Sequence, residues 1–291
     1  MLAVKTMSPE MRFADINVIS GLNTLRKLFA IVENGSSSPG IEDKVRIDIE
    51  IIRDTLLMRR WHRLQSSATQ MTLTGCGRGF EEACTSIVPG FEDCTSYHRI
   101  NTLRLGHLTC LAQGEADSFL ETVNSAGGAA CTRNDIVASD AVGLQVEGST
   151  LCIRHKGTQI DTEHIAEIKS RSIRSKLGPD VWQHLWLSGV RKLFLGKHNY
   201  GGFLECNMGL SDKSTAILEW EKTSTETIIR FTQVLEDVFH RSLALVRSGQ
   251  CEGSLLALVF GGRERTLTLH RRTEDNHMLP EGLEVLLEER A

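Results

Sequence analysis

Residues 99–117 constrain the fold more than any other stretch, because they read as two strands meeting at Gly106-His107, a tight turn. In the second run Leu108, Cys110, Ala112, Gly114 and Ala116 share one face. Thr109, Leu111, Gln113, Glu115 and Asp117 share the other. The hairpin therefore ends with two acids pointing the same way, an arrangement that asks for a cation, a proton or solvent.

A second acidic strand end follows. His164–Lys169 reads as a strand closing on Glu167-Ile168-Lys169, with Glu167 and Lys169 on one face. Upstream, glycines at 75, 77 and 79 open a segment, Phe80–Ile87, expected to be helical and carrying Glu81. Other expected strands are Leu144–Val146, Thr150–Arg154 and Lys192–His198, the last turning at Tyr200-Gly201-Gly202. A helix is expected from Gly178-Pro179-Asp180 to Ser188, with Trp182 and Trp186 serving the core before any stacking role. Thr225–Val246 carries a helical stripe of Ile228, Phe231, Leu235, Val238, Phe239 and Leu243. Thr223-x-x-Glu226 is its expected capping box and Gly249 lies just past its end. A hairpin, Leu255–Phe260 with Thr266–His270, follows.

The first third reads as helical and amphipathic, with Ile41–Met58 placing Val45, Ile49, Ile52 and Leu56 at helical spacing. Glu33–Gly40 is a loop, and residues 121–140, small and polar, read as an inserted one. Met58–Arg63 is a short basic run, read either as a solvated helix end or as a phosphate-contacting edge.

Composition removes several classes. A net charge of −4 argues against a protein coated in nucleic acid but allows one local basic channel. The eight cysteines form no C-x-x-C pair, which argues against a zinc ribbon and favours reduced thiols, hence a nuclear or cytoplasmic setting. No secretory leader is evident and no apolar run suits a membrane span. The chain also lacks a phosphate-binding P-loop, a strand-linked G-x-G-x-x-G and a G-x-S-x-G elbow.

What remains is an ordered set of hard oxygen donors: Gly77-Arg78-Gly79-Phe80-Glu81, then Glu115-Ala116-Asp117, then Glu167-Ile168-Lys169. Carboxylates converging on one point suit Mg²⁺ or Mn²⁺ and metal-assisted phosphodiester hydrolysis, with a lysine to hold the phosphate. Gly143–Glu147 also fits the first pattern by letter, but it falls after the Glu-x-Asp motif, so Glu81 is preferred to Glu147. The plain alternative is that these acids and Lys169 are solvent-facing groups and an exposed ion pair.

The order of the three motifs, together with Ser96-Tyr97-His98-Arg99-Ile100, resembles the DXO-like RNA decapping nucleases, a branch of the PD-(D/E)XK superfamily, and most resembles divergent fungal members. The resemblance covers roughly residues 75–205. It implies an α+β or α/β fold, a central mixed sheet flanked by helices, with Mg²⁺ or Mn²⁺ and hydrolysis at RNA 5′ ends. It implies that Glu81, Asp117, Glu167 and the Ile168 carbonyl hold metal, that Glu115 holds metal-bound water, and that Lys169 sits by the attacked phosphate. On the helix after Lys169, Val181 and His184 stand where the family has Lys and Gln, with Gln183 adjacent and Lys176 as a substitute cation. His184 and Gln183 are the catalytic candidates there. His98, Arg99, Arg171 and Arg174 are the candidates for RNA contact; Arg59 or Arg60 would supply the family's upstream arginine. The expected organisation is a helical segment over 1–70 packed on the core, a nuclease-like core over 71–275 and a tail over 276–291. The alternatives are a catalytically silent paralogue that binds RNA or a protein partner, and a DNA nuclease of the same superfamily.

Overall fold

A computed structural model describes residues 1–34, 44–61, 76–121, 144–145, 152–154, 159–249, 254–261, 266–274, 276–280 and 282–287. Along the chain run α1 (Leu2–Met7), β1 (Val18–Gly21), α2 (Leu22–Asn34), β2 (Lys44–Ile52), β3 (Thr55–Arg60) and α3 (Gly77–Cys84). Next come β4 (His98–Leu105), β5 (Leu108–Glu115), β6 (Ser118–Phe119), β7 (Leu144–Gln145), β8 (Cys152–Ile153) and β9 (Ile165–Ser172). The remainder is α4 (Pro179–Ser188), β10 (Lys192–Asn199), β11 (Gly202–Asp212), α5 (Ser214–Thr223), α6 (Thr225–Arg247), β12 (Leu255–Gly261) and β13 (Thr266–Arg271).

Two mixed sheets form the frame. The larger runs β13-β12-β2-β3-β1-β5-β4, with β1 parallel to both neighbours. The smaller runs β11-β10-β9-β6, with β9 and β10 parallel. β5 belongs to the first and β6 to the second, so the chain changes sheet across Ala116 and Asp117. Helices α2 and α6 cover one face of the larger sheet, where Leu25, Leu28, Phe29, Phe231 and Leu235 are fully buried. Phe29 and Phe231 meet at 5.1 Å between ring centroids. The opposite face is closed by Phe13, Ile16 and Leu287 against Ile52, Leu57 and Leu111. The architecture is thus mixed α and β, sheets flanked by helices, as the family resemblance implied.

The helix expected over Ile41–Met58 is instead the hairpin β2–β3, so the N-terminal segment is not wholly helical. Val45, Ile47, Ile49 and Ile51 alternate with polar residues, and β-branched side chains favour the extended pairing. Both faces of β2 are buried, which disguises the alternation. Asp48 meets Arg46 at 2.7 Å, and Glu50 takes the Met278 N–H at 2.6 Å and His277 Nδ1 at 2.5 Å.

The capping box at Thr223 does not form. Thr223 ends α5, and its hydroxyl donates to the Glu219 and Trp220 carbonyls. The stripe on α6 is buried as expected except for half-buried Ile228, and Gly249 takes φ +67 just past its end. The hairpin β4–β5 turns at Gly106, φ +61. Residues 122–140 of the expected inserted loop, the decoy Glu147 and residues 62–63 of the basic run lie outside the described residues.

Candidate metal centre

The site lies at an open edge of β9. β6 pairs only with Ala166 and Ile165, so from Glu167 onward that edge has no neighbouring strand among the described residues. Asp117, at the crossing between the sheets, fills the gap: its Oδ2 accepts the Ile168 N–H at 2.8 Å. Glu167 is 3% exposed, at the point of the β9 face that His184 of α4 reaches. There Lys169 Nζ contacts Glu167 Oε1, lies 3.2 Å from the Ile168 carbonyl and 3.7 Å from Asp117 Oδ2. Three of the four expected oxygen donors therefore converge on a single cationic nitrogen.

Glu81 arrives on α3. Phe80 beside it is buried, stacked 4.5 Å from Phe203 and 5.9 Å from Phe194. Gly196 permits this stacking, because a Cβ there would lie 2.1 Å from Phe80 Cζ. The Glu81 carboxyl is pushed above its usual range by burial and by the charges of Asp117, Glu115 and Glu167, against the pull of Lys169. Arg78 is engaged with Glu82 at 2.9 Å.

The acids differ in charge state. Burial and the Glu167 charge push Asp117 up, against Lys169, the Ile168 N–H and His184. For Glu167, burial pulls upward but His184 and Lys169 outweigh it, holding the carboxyl below its usual range. His184 Nε2 stands 3.0 Å from Glu167 Oε2, close enough for a charge contact but off the axis of a hydrogen bond. Acids of uneven charge state around one point occur at functional sites and in structural ion-pair networks alike.

The other candidates lie around this cluster or away from it. Glu115 is exposed at the end of β5, in register with His98, whose ring lies 3.2 Å from the Ser96 hydroxyl. Arg99 donates to the Ile160 carbonyl at 2.5 Å and to Thr162 Oγ1 at 2.9 Å, bracing the turn before β9. That turn carries Asp161, Glu163 and His164, whose ligand atoms lie within 4.8 Å of one another. Gln183 turns away from the acids and donates to the Arg26 carbonyl at 3.2 Å. Val181 is buried core. Arg171 reaches Asp180 at 3.4 Å, and Arg174 is exposed in the turn after β9.

One residue escaped the sequence reading. Arg26, on α2, feels the charges of Asp180 and Glu167, although burial is the larger influence and lowers its pKa. Its Nε is buried without a hydrogen-bond partner among the described residues. Arg59 and Arg60, by contrast, end β3 in the larger sheet. The available signal was a cation at position 26 on the stripe Leu22, Leu25, Phe29.

A family profile described as "Domain of unknown function (DUF8563)" matches residues 1–285. The chain belongs to this family. A search of curated protein sequences gave no match. Among solved structures the DUF8563 chain is similar to Scheffersomyces stipitis Rai1 in complex with (3'-NADP)+ and calcium ion. The TM-score is 0.61 at 15% identity, covering 98% of this chain and 78% of that one. K. lactis Dxo1 in complex with manganese gives 0.56 at 13%, covering 96% and 71%. Candida albicans Rai1 in complex with pU5-Mn2+ gives 0.55 at 11%, covering 88% and 69%. At these identities the likeness speaks for the fold, and there the resemblance to DXO-like nucleases holds.

Proposed function

We propose that this DUF8563 protein is a divalent-metal-dependent phosphodiester hydrolase acting on RNA 5′ ends, by decapping, pyrophosphohydrolysis or 5′→3′ exonuclease action. The observation that carries this reading is the convergence of Asp117, Glu167 and the Ile168 carbonyl on one cationic centre. Hard oxygen donors of this kind suit Mg²⁺ or Mn²⁺. The manganese, calcium and pU5 in the complexes of the similar fungal proteins support the same choice.

With Glu81, those three groups would hold the ion, which when bound supplies an acidified water and neutralises charge on the phosphate. Lys169 would leave Glu167 and turn to a phosphate oxygen. Glu115 would accept a proton of the attacking water. His184 holds Glu167 from the far side, and Arg26 offsets the buried negative charge.

The test is hydrolysis of capped RNA, 5′-phosphorylated RNA and matched DNA in Mg²⁺ or Mn²⁺, comparing wild type with Asp117→Ala plus Glu167→Ala. Metal-dependent cleavage of RNA that the double substitution abolishes is expected; activity that survives it refutes the assignment. A second reading, a silent paralogue that binds RNA or a protein partner, is favoured by Val181 and His184 at the family's Lys and Gln positions. Tight Mn²⁺ binding without turnover of any substrate would select it.

A further inference from the structure

Beyond the acids, the face of β9 that carries Glu167 and Lys169 continues to Arg171, because side chains two apart share a face. β10 runs parallel beside it in unbroken register, pairing Leu193 with Glu167, Leu195 with Lys169 and Lys197 with Arg171. In-register residues of neighbouring strands point the same way, so Arg171 and Lys197 form a cationic pair one two-residue step past Lys169. That step is about 6.6 Å at the parallel-strand rise, comparable with the distance between adjacent phosphates of an extended single strand.

The pair is undercompensated. Lys197 has no ion-pair partner among the described residues. Arg171 has only Asp180, itself 61% exposed, at 3.4 Å. Charge-assisted contacts are normally nearer 2.7–2.9 Å, so a phosphate oxygen competes with Asp180 on favourable terms. The chain as a whole carries net charge −4.

We propose that Arg171 and Lys197 seat the phosphate adjacent to the scissile one, so that the substrate is a single RNA strand laid along β9 with two consecutive phosphates engaged. This rests on the phosphodiesterase reading for the position of the scissile phosphate. It adds Lys197 and sets aside Arg174, which lies beyond the strand.

The experiment is fluorescence anisotropy with a 5′-phosphorylated, 3′-labelled five-nucleotide RNA in Ca²⁺, at several salt concentrations. Four proteins are compared: wild type, Arg171→Ala/Lys197→Ala, the charge-preserving Arg171→Lys/Lys197→Arg, and Arg230→Ala/Arg241→Ala on α6. The alanine pair on β9 and β10 is expected to weaken binding several-fold and to flatten the slope of log Kd against log salt by about 0.7, one phosphate's share for a single strand. The charge-preserving pair keeps the wild-type slope, and so does the α6 pair despite the same change in net charge. Equal slopes in all four proteins, an equal loss in the α6 pair, or no RNA binding by wild type overturns the proposal. Cleavage separates it from the nuclease reading. Loss of the slope effect with RNA still cleaved sinks only the phosphate seat; the slope effect without any cleavage sinks only the enzyme.

Discussion

Gly196→Ala should disturb the candidate metal centre without touching an acid. A Cβ at position 196 would sit 2.1 Å from Phe80 Cζ and 2.4 Å from Cε2. Carbon atoms in contact prefer about 3.5–4.0 Å, so the ring must retreat by roughly 1.4 Å. It has little room, since Phe80 is 4% exposed and stacked against Phe203 and Phe194. Overpacking of this kind costs about 1–3 kcal/mol, of which replacing a strand glycine returns roughly 0.5–1 kcal/mol. The net loss, about 0–2.5 kcal/mol, lowers Tm by up to roughly 10 °C. Glu81 follows Phe80 on α3, so the rise in Tm on adding Mn²⁺ should shrink as well. Differential scanning fluorimetry with and without Mn²⁺ measures both. Gly209→Ala on β11 is the control, because a Cβ there meets nothing within 4 Å. If Gly196→Ala melts like wild type and keeps the full Mn²⁺ increment, the coupling between Phe80 and Glu81 is refuted.

Asp117→Asn should raise Tm at pH 7 without metal. The raised Asp117 pKa means its ionised form is disfavoured in the folded state, so the stabilising influence of the proton is present at acid pH and is lost as pH rises through the folded value. The gain from Asn should therefore vanish in acid, and a gain independent of pH would contradict the burial argument. Glu167 has the opposite sign: its lowered pKa stabilises the fold above the unfolded carboxylate range, and acid should erase the stability difference between wild type and Glu167→Gln. Arg99→Ala should cost about 1–3 kcal/mol in stability by freeing the Ile160 carbonyl, while RNA affinity stays at the wild-type value; an affinity loss in a fully folded variant would restore its substrate role. Glu50→Ala strands the Met278 N–H and the docked His277, so limited proteolysis near residue 277 should accelerate several-fold, and unchanged cleavage would refute the clamp.

What could be read in advance followed from local periodicity. The hairpin β4–β5, the helix α6 and the face shared by Glu167 and Lys169 each announce themselves within one element. β2 is not legible as a strand because both its faces are buried, Asp48 and Glu50 included, which leaves Val45, Ile49, Ile52 and Leu56 as a false helical series. Arg26 and His184 illustrate the other limit. Their approach to Glu167 is decided by how α2 and α4 pack, and no spacing within either helix specifies it. Gln183 shows the same dependence, since one residue's rotation along α4 sends it to α2 and leaves His184 beside the acids.

The proposed function requires Asp117, Glu167 and the Ile168 carbonyl to act as one divalent-cation site. Calorimetric titration of Mn²⁺ into wild type and into Asp117→Ala plus Glu167→Ala tests it most directly. Saturable binding by wild type that disappears in the folded double variant is the predicted result. Binding that persists undiminished in the double variant, or none in wild type, would contradict it.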